Sequence, residues 1–244
     1  MLLMFIGVIM TFRKKAMKLL FKRIGPVFIM SLFVSAIVLS CSDSNDDPID
    51  SQIENSIDDD VNDDINGDEV NDGSSIVDED EAALLFMLEE EKLARDTYKF
   101  LNEYWGIVQF GNIMQSEQSH MDAVETLLVA YDIEYEILED GVFENEDLQT
   151  WYDTFVQDGI VDELAALTVG ATIEDLDIVD LEEQIQATSN TDIADVFSSL
   201  QCGSRNHLRS FVQSIENLGE TYTPQFLSQA EYETILEGSH EQCN

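Results

Sequence analysis

The sequence predicts an all-α fold. It reads as four long amphipathic helices, with a long connection between the second and third and a short helix near the C-terminus. Three observations predict this. Apolar residues recur at three- and four-residue steps from Glu79 to Leu218. Helix starts and stops fall between these runs, at Gly106, Asn145, Thr191-Asp192 and Gly219. A polar residue also sits near the middle of every long apolar stripe, where a leucine is expected.

The first helix is expected over roughly Glu79 to Asn102. Its stripe is Leu84, Met87, Leu88, Glu91, Ala94, Tyr98 and Leu101. Gly106 ends the pattern near Trp105, and the second helix follows over roughly Val108 to Tyr131. There Phe110, Ile113, Met114, Val124, Leu127, Leu128 and Tyr131 carry the period. Glu117 falls mid-stripe and His120 lies one turn on along the same face. Residues 132–159 form the long connection. In it, Asn145-Glu146-Asp147 starts a short helix that buries Leu148, Trp151, Tyr152, Phe155 and Val156. A connection this long lets the next helix start from the far end of the bundle. The third long helix is expected over roughly Ile160 to Ala187, broken near Gly170, with Glu174 on an apolar line and Asp177 one turn further. The fourth starts at Thr191-Asp192 and runs to about Leu218. His207 is central in it, and the small Gly203 and Ser204 leave room for a ligand or water. A last helix over about Ser228 to Glu237 follows Pro224.

Residues 1–40 read as a targeting region. Lys18, Lys22 and Arg23 precede an apolar run from Val27 to Leu39. That run is shorter than the ~20 residues of a membrane span. Val38-Leu39-Ser40-Cys41 resembles a bacterial lipobox, in which Cys41 receives lipid after cleavage; a plain transmembrane anchor is the alternative reading. Met17 makes a more ordinary start than Met1. Both readings place the rest of the chain outside the cytoplasm, held to the membrane at the cell envelope. Residues 41–78 then form an acidic tether without Lys or Arg, too polar to offset the entropy of ordering. Within it Asn62 to Asp68 loosely resembles a calcium loop, but Gly73 stands where the closing Glu belongs.

The 244 residues carry a formal charge of -40 with only 11 Lys and Arg, which argues against a nucleic-acid partner. It suits a soluble acidic surface, cation attraction or a salty habitat. Three Cys and three His exclude a disulfide scaffold or a multi-cysteine zinc module.

Glu91, Glu117, His120, Glu174 and His207 thus share the inner faces of four helices. Taken singly, each has a plain explanation, such as a tilted surface glutamate or a hydrogen-bonded core histidine. Burying three carboxylates together without a cation is strongly unfavourable. One or two iron or manganese ions, held by carboxylates and imidazoles, resolve the conflict. His240, in the tail, is expected in solvent.

Glu91-x-x-Ala94-x-x-x-Tyr98 and Glu117-x-x-His120 resemble the first two helices of the ferritin-like superfamily. Residues 80–237 resemble more closely an uncharacterised bacterial family, domain of unknown function 2202. The matching pieces are residues 89–96, 116–124, 173–177 and 203–209. The resemblance implies a ferritin-like four-helix bundle and a metal site, and it implies no particular reaction. One departure stands out. The superfamily's fourth helix carries Glu-x-x-His, and here Ser204 precedes His207 by three. Asp177 or a water then fills the place, or one ion is held weakly or lost.

Arg95 and Arg205 stand near the proposed ligands, either pairing with their carboxylates behind the metal or forming ordinary surface salt bridges. Cys202 and Cys243 are expected to form a disulfide; a thiolate ligand at Cys202 is the other reading. The function expected is that of a cell-envelope lipoprotein whose ferritin-like bundle binds iron or manganese; if it is an enzyme, the class is redox, acting on dioxygen or peroxide with Tyr98 close by. A homo-oligomer is compatible with it. The rivals are a non-catalytic metal store and an interaction protein with a degenerate site.

Overall fold

The structure is a computed structural model that describes residues 76–243. The targeting region, Cys41, the tether and the calcium-like loop lie outside the described residues. Six α-helices and no strands occur among the described residues. They are α1 (Asp78–Trp105), α2 (Val108–Ala130), α3 (Glu146–Gly159), α4 (Glu163–Ala187), α5 (Thr191–Asn217) and α6 (Gln229–Glu237).

Local chemistry sets the ends. Asp78, Glu79, Asp80 and Glu81 crowd the first turn of α1, where the helix dipole favours negative charge. Gly106, at φ 70°, closes α1 by donating its N–H to Asn102 O. The side chains of Asn145, Asp162, Asn190 and Ser228 cap α3, α4, α5 and α6. Three expectations change. The cap of α5 is Asn190, one residue before the expected Thr191-Asp192. Helix α4 starts at Glu163 because Asp162 caps it, so Ile160 and Val161 stay outside. Helix α4 is also unbroken at Gly170. A Cβ there would lie 2.4 Å from the Phe211 ring, so the glycine makes room for close packing.

The long helices pack in a ring: α1 against α2, α2 against α5, α5 against α4, and α4 against α1. Facing residues run in opposite directions at each seam. Arg95 meets Gln118 between α1 and α2, and Gln109 meets Ser210 and Ser214 between α2 and α5. Ser204 meets Asp177 between α5 and α4, and Tyr98 meets Glu174 between α4 and α1. Helices α2 and α4 therefore run the same way, and residues 131–162 carry the chain from one end to the other.

That crossover is clamped to α1 by charge. Lys92, fully buried, donates to Asp96 Oδ2 at 2.6 Å and to the carbonyls of Glu139 and Val142 at 2.9 and 3.0 Å. Asp96 also accepts from Arg95 and from the Gly141 N–H. Glu89 accepts the N–H groups of Glu144 and Asn145. Much of Glu89-Glu90-Glu91-Lys92-Leu93-Ala94-Arg95-Asp96 thus holds the crossover, and within it Glu91 turns inward.

The apolar core forms two clusters. One contains Tyr98, Leu101, Phe110, Ala166, Phe211 and Ile215; the other contains Leu84, Met87, Val124, Leu128, Leu181 and Phe197. On α1, α2 and α5 the polar residues singled out above fall between the two clusters. On α4 they lie among Ile173, Ile178 and Leu181.

Candidate metal centre

The polar belt between the clusters brings Glu91, Glu117, His120, Glu174 and His207 together. Glu91 is 1% exposed, Glu117 2% and Glu174 2%, so the carboxylates are taken from water. Helical spacing puts Glu117 and His120 on one face of α2, and the ring closure brings Glu91, Glu174 and His207 to meet them.

Two groups of three share one member. Glu91, Glu117 and His120 offer ligand atoms that all lie within 4.8 Å of one another, and so do Glu117, Glu174 and His207. His120 Nδ1 lies 2.7 Å from Glu117 Oε2 and 3.1 Å from Glu91 Oε2. His207 Nδ1 lies 2.9 Å from Glu117 Oε1 and 3.4 Å from Glu174 Oε2, with hydrogen-bond alignment to neither. The two imidazoles stack with centroids 5.7 Å apart.

The electrostatics follow from burial and crowding. Burial raises the Glu91 carboxyl to about 7, against the pull of His120. Burial also raises the carboxyl of Glu174, and Glu117's charge adds to it. Burial would do the same to Glu117, but His207 and His120 outweigh it and hold that carboxyl well below its usual range. Burial alone would strip the histidines of their extra protons. The carboxylates win: Glu91 and Glu117 hold His120 well above its usual value, and Glu117 and Glu174 raise His207 to about 10.

The donor set fits a divalent transition metal. Glu91 Oε1, Glu117 Oε1, Asp177 Oδ1 and His207 Nδ1 are all buried without a hydrogen-bond partner. Buried polar atoms left in this way are costly unless a cation takes them up. Carboxylate oxygen with imidazole nitrogen suits iron and manganese.

The neighbours are only partly as expected. Tyr98, fully buried between the rings of Phe110 and Phe211, donates its hydroxyl to Glu174 Oε1 at 2.5 Å. Burial, then the charges of Glu174 and Glu117, keep the proton on Tyr98. Ser204 donates to Asp177 Oδ2 at 2.5 Å, so its hydroxyl is already engaged by a side chain. The room at Gly203 is also filled: a Cβ there would meet His120 Nε2 at 2.6 Å. The arginines turn elsewhere. Arg95 serves Asp96, Gln118 and Asp140, and Arg205 serves Glu241 and Gln201, so neither backs the site carboxylates. Arg209 joins Arg205 on Glu241 and helps hold the tail to α5. Cys202 is bonded to Cys243 and is no thiolate ligand. His240 is exposed.

Two features escaped the sequence reading. The Lys92–Asp96 pair is one. The other is Asp175, a buried carboxylate that accepts from the Tyr222 hydroxyl and from the N–H groups of Gln225, Phe226 and Leu227. The signal was available for both, since a charge inside a helical run beside an apolar stripe asks for a partner.

A model of an uncharacterized protein domain, DUF2202, matches residues 80–239, which takes in all six helices but the first two residues of α1. Uncharacterized protein MJ0754 of Methanocaldococcus jannaschii is 49% identical over 168 residues, covering 68% of this chain and 91% of that protein. The crystal structure of hypothetical protein MJ0754 from Methanococcus jannaschii aligns with a TM-score of 0.67 at 48% identity. It covers 68% of this chain and 97% of that one. The family match spans more than half of the chain, and the relative is matched over nearly its whole length, so this chain belongs to the DUF2202 family.

Proposed function

We propose that the helical domain is a ferritin-like metal-binding bundle that takes one or two iron or manganese ions between Glu91, Glu117, His120, Glu174 and His207. The observation that carries this reading is Glu117, shared by two three-ligand groups and flanked by both imidazoles. A bound iron or manganese would supply one-electron chemistry toward dioxygen or peroxide, the basis of a redox role. The chain's own part is to hold the ligands rigidly, to exclude water by the two apolar clusters, and to orient Glu174 through Tyr98. We place the protein at the cell envelope, anchored through lipid on Cys41. The Cys202–Cys243 disulfide favours that oxidising compartment.

The test is metal content of protein purified without chelator, beside His120→Ala and His207→Ala. Stoichiometric iron or manganese that both variants lose is the expected result. A folded wild type still empty after anaerobic ferrous and manganous loading would refute it. A non-catalytic store is the second reading, favoured by the strongly acidic chain. It predicts loading by ferrous ion without oxygen consumption.

Metal capture must also displace protons, because imidazole ligates only when neutral. The carboxylates hold the His120 imidazole well above its usual value and raise His207 to about 10, so both favour the proton. Raising the pH weakens the proton's claim, so manganous affinity should rise between about pH 6 and pH 9, by up to about tenfold per unit for each proton released. Calorimetric titration in buffers of different ionisation heat counts those protons. A flat pH profile would argue against imidazole ligation.

A further inference from the structure

The two hairpins that face each other around the site are alike in spacing and unlike in charge. Helix α2 carries Glu117 and His120 three residues apart; α5 carries Ser204 and His207 at the same spacing. Where α2 supplies a carboxylate, α5 supplies a hydroxyl. That hydroxyl reaches Asp177 of α4, meeting its Oδ2 at 2.5 Å. Asp177 is 5% exposed, and its other oxygen, Oδ1, has no hydrogen-bond partner. It lies one helical turn beyond Glu174 on the same face. Helix α1 runs antiparallel to α4 and pairs Tyr98 with Glu174, so one turn onward along α4 leads back along α1 toward Glu91.

We propose that Asp177 is a ligand on the Glu91–His120 side of the centre, that it supplies from α4 the carboxylate α5 lacks, and that it allows two divalent ions to be held. Ser204 is its positioning residue. The inference rests on the metal-binding reading above. Charge balance supports it. Glu91, Glu117 and Glu174 together offset three positive charges when the imidazoles are neutral. Two divalent ions bring four, and Asp177 supplies the remaining negative charge. In a buried site an uncompensated charge is strongly unfavourable. With three carboxylates the centre balances one ion with charge to spare; with four it balances two.

Asp177→Asn tests this, since it keeps the shape and an oxygen for Ser204 while removing the charge. Anaerobic Mn2+ titration of the full chain, read by bound metal and by electron paramagnetic resonance, should give two ions and an exchange-coupled signal in wild type. Asp177→Asn should bind one ion and show an uncoupled spectrum. Ser204→Ala should keep two ions and bind the second at least about tenfold more weakly, as loss of a ligand's hydrogen-bond partner does. Thermal unfolding of the metal-free variants checks that both are folded.

If Asp177→Asn holds two ions with unchanged affinity, the proposal is overturned while the metal-binding reading stands. A wild type that binds a single ion also overturns it. A wild type that binds none overturns both. Unchanged second-ion affinity in Ser204→Ala would remove Ser204 from the account and leave Asp177 to be judged on its own variant.

Discussion

Glu117→Gln is expected to abolish metal binding at both positions, whereas Glu91→Gln and Glu174→Gln should each impair one. The asymmetry follows from the geometry. Glu117 is the only carboxylate common to the two ligand groups, and each of its oxygens faces a different imidazole, at 2.7 and 2.9 Å. The amide that replaces it would keep the volume and one acceptor oxygen but offer no negative charge to either ion. The substitution would also release the histidines. Glu117 helps hold His120 and His207 above their usual values, so both should titrate nearer the ordinary imidazole value in the variant. The measurement is Mn2+ stoichiometry by equilibrium dialysis, with the histidine titrations followed by NMR in the metal-free protein. Retention of one full equivalent in Glu117→Gln would show that a bridging carboxylate is not required.

Asp96→Ala should destabilise the domain by about 3–5 kcal/mol, the range for stripping one partner from a buried ion pair. Lys92 lies 2.6 Å from Asp96 with both side chains almost wholly buried. Removing the carboxylate leaves the buried ammonium with only the Glu139 and Val142 carbonyls and no countercharge, takes the partner from the Gly141 N–H, and costs Arg95 one of its two carboxylates. Asp140 provides the contrast. It pairs with Arg95 and Lys99, but its side chain is 51% exposed. Asp140→Ala should therefore change stability by no more than about 1 kcal/mol. Thermal unfolding of the metal-free proteins compares the two. Equal effects would mean that the crossover is held by its apolar residues, Ile133 and Phe143, and not by charge.

The long helices and the inward carboxylates were legible because both depend on period. Glu91, Glu117 and Glu174 interrupt apolar stripes, and a stripe is visible in sequence alone. Helix α4 shows where that logic fails. It is covered on several sides, with residues 169–178 buried in an unbroken run, so its stripe says little about which polar residue faces which neighbour. Asp175 and Asp177 are two residues apart and serve different ends, one capping residues 222–227 and the other meeting Ser204. Sequence left the two readings of the arginines undivided for a related reason. Nearness in sequence to a ligand says nothing about where a long side chain finds its carboxylate. Arg205 finds one 36 residues away, in Glu241. Gly203 looked like space for a ligand because the approach of α2, which fills that space with His120, is a tertiary fact.

The division of the apolar core into two clusters bears on how the domain opens. Each cluster draws on all four long helices. Cooperativity between them must pass through a belt of charges that repel or pair according to what occupies it. Such a belt is a natural boundary between units of local unfolding. An ion there would act as a rivet, joining two foldons into one and raising the free energy of partial opening by its own binding energy. The ligand layer would then govern how the bundle breathes, and loading and release of metal would be events in the stability of the whole domain.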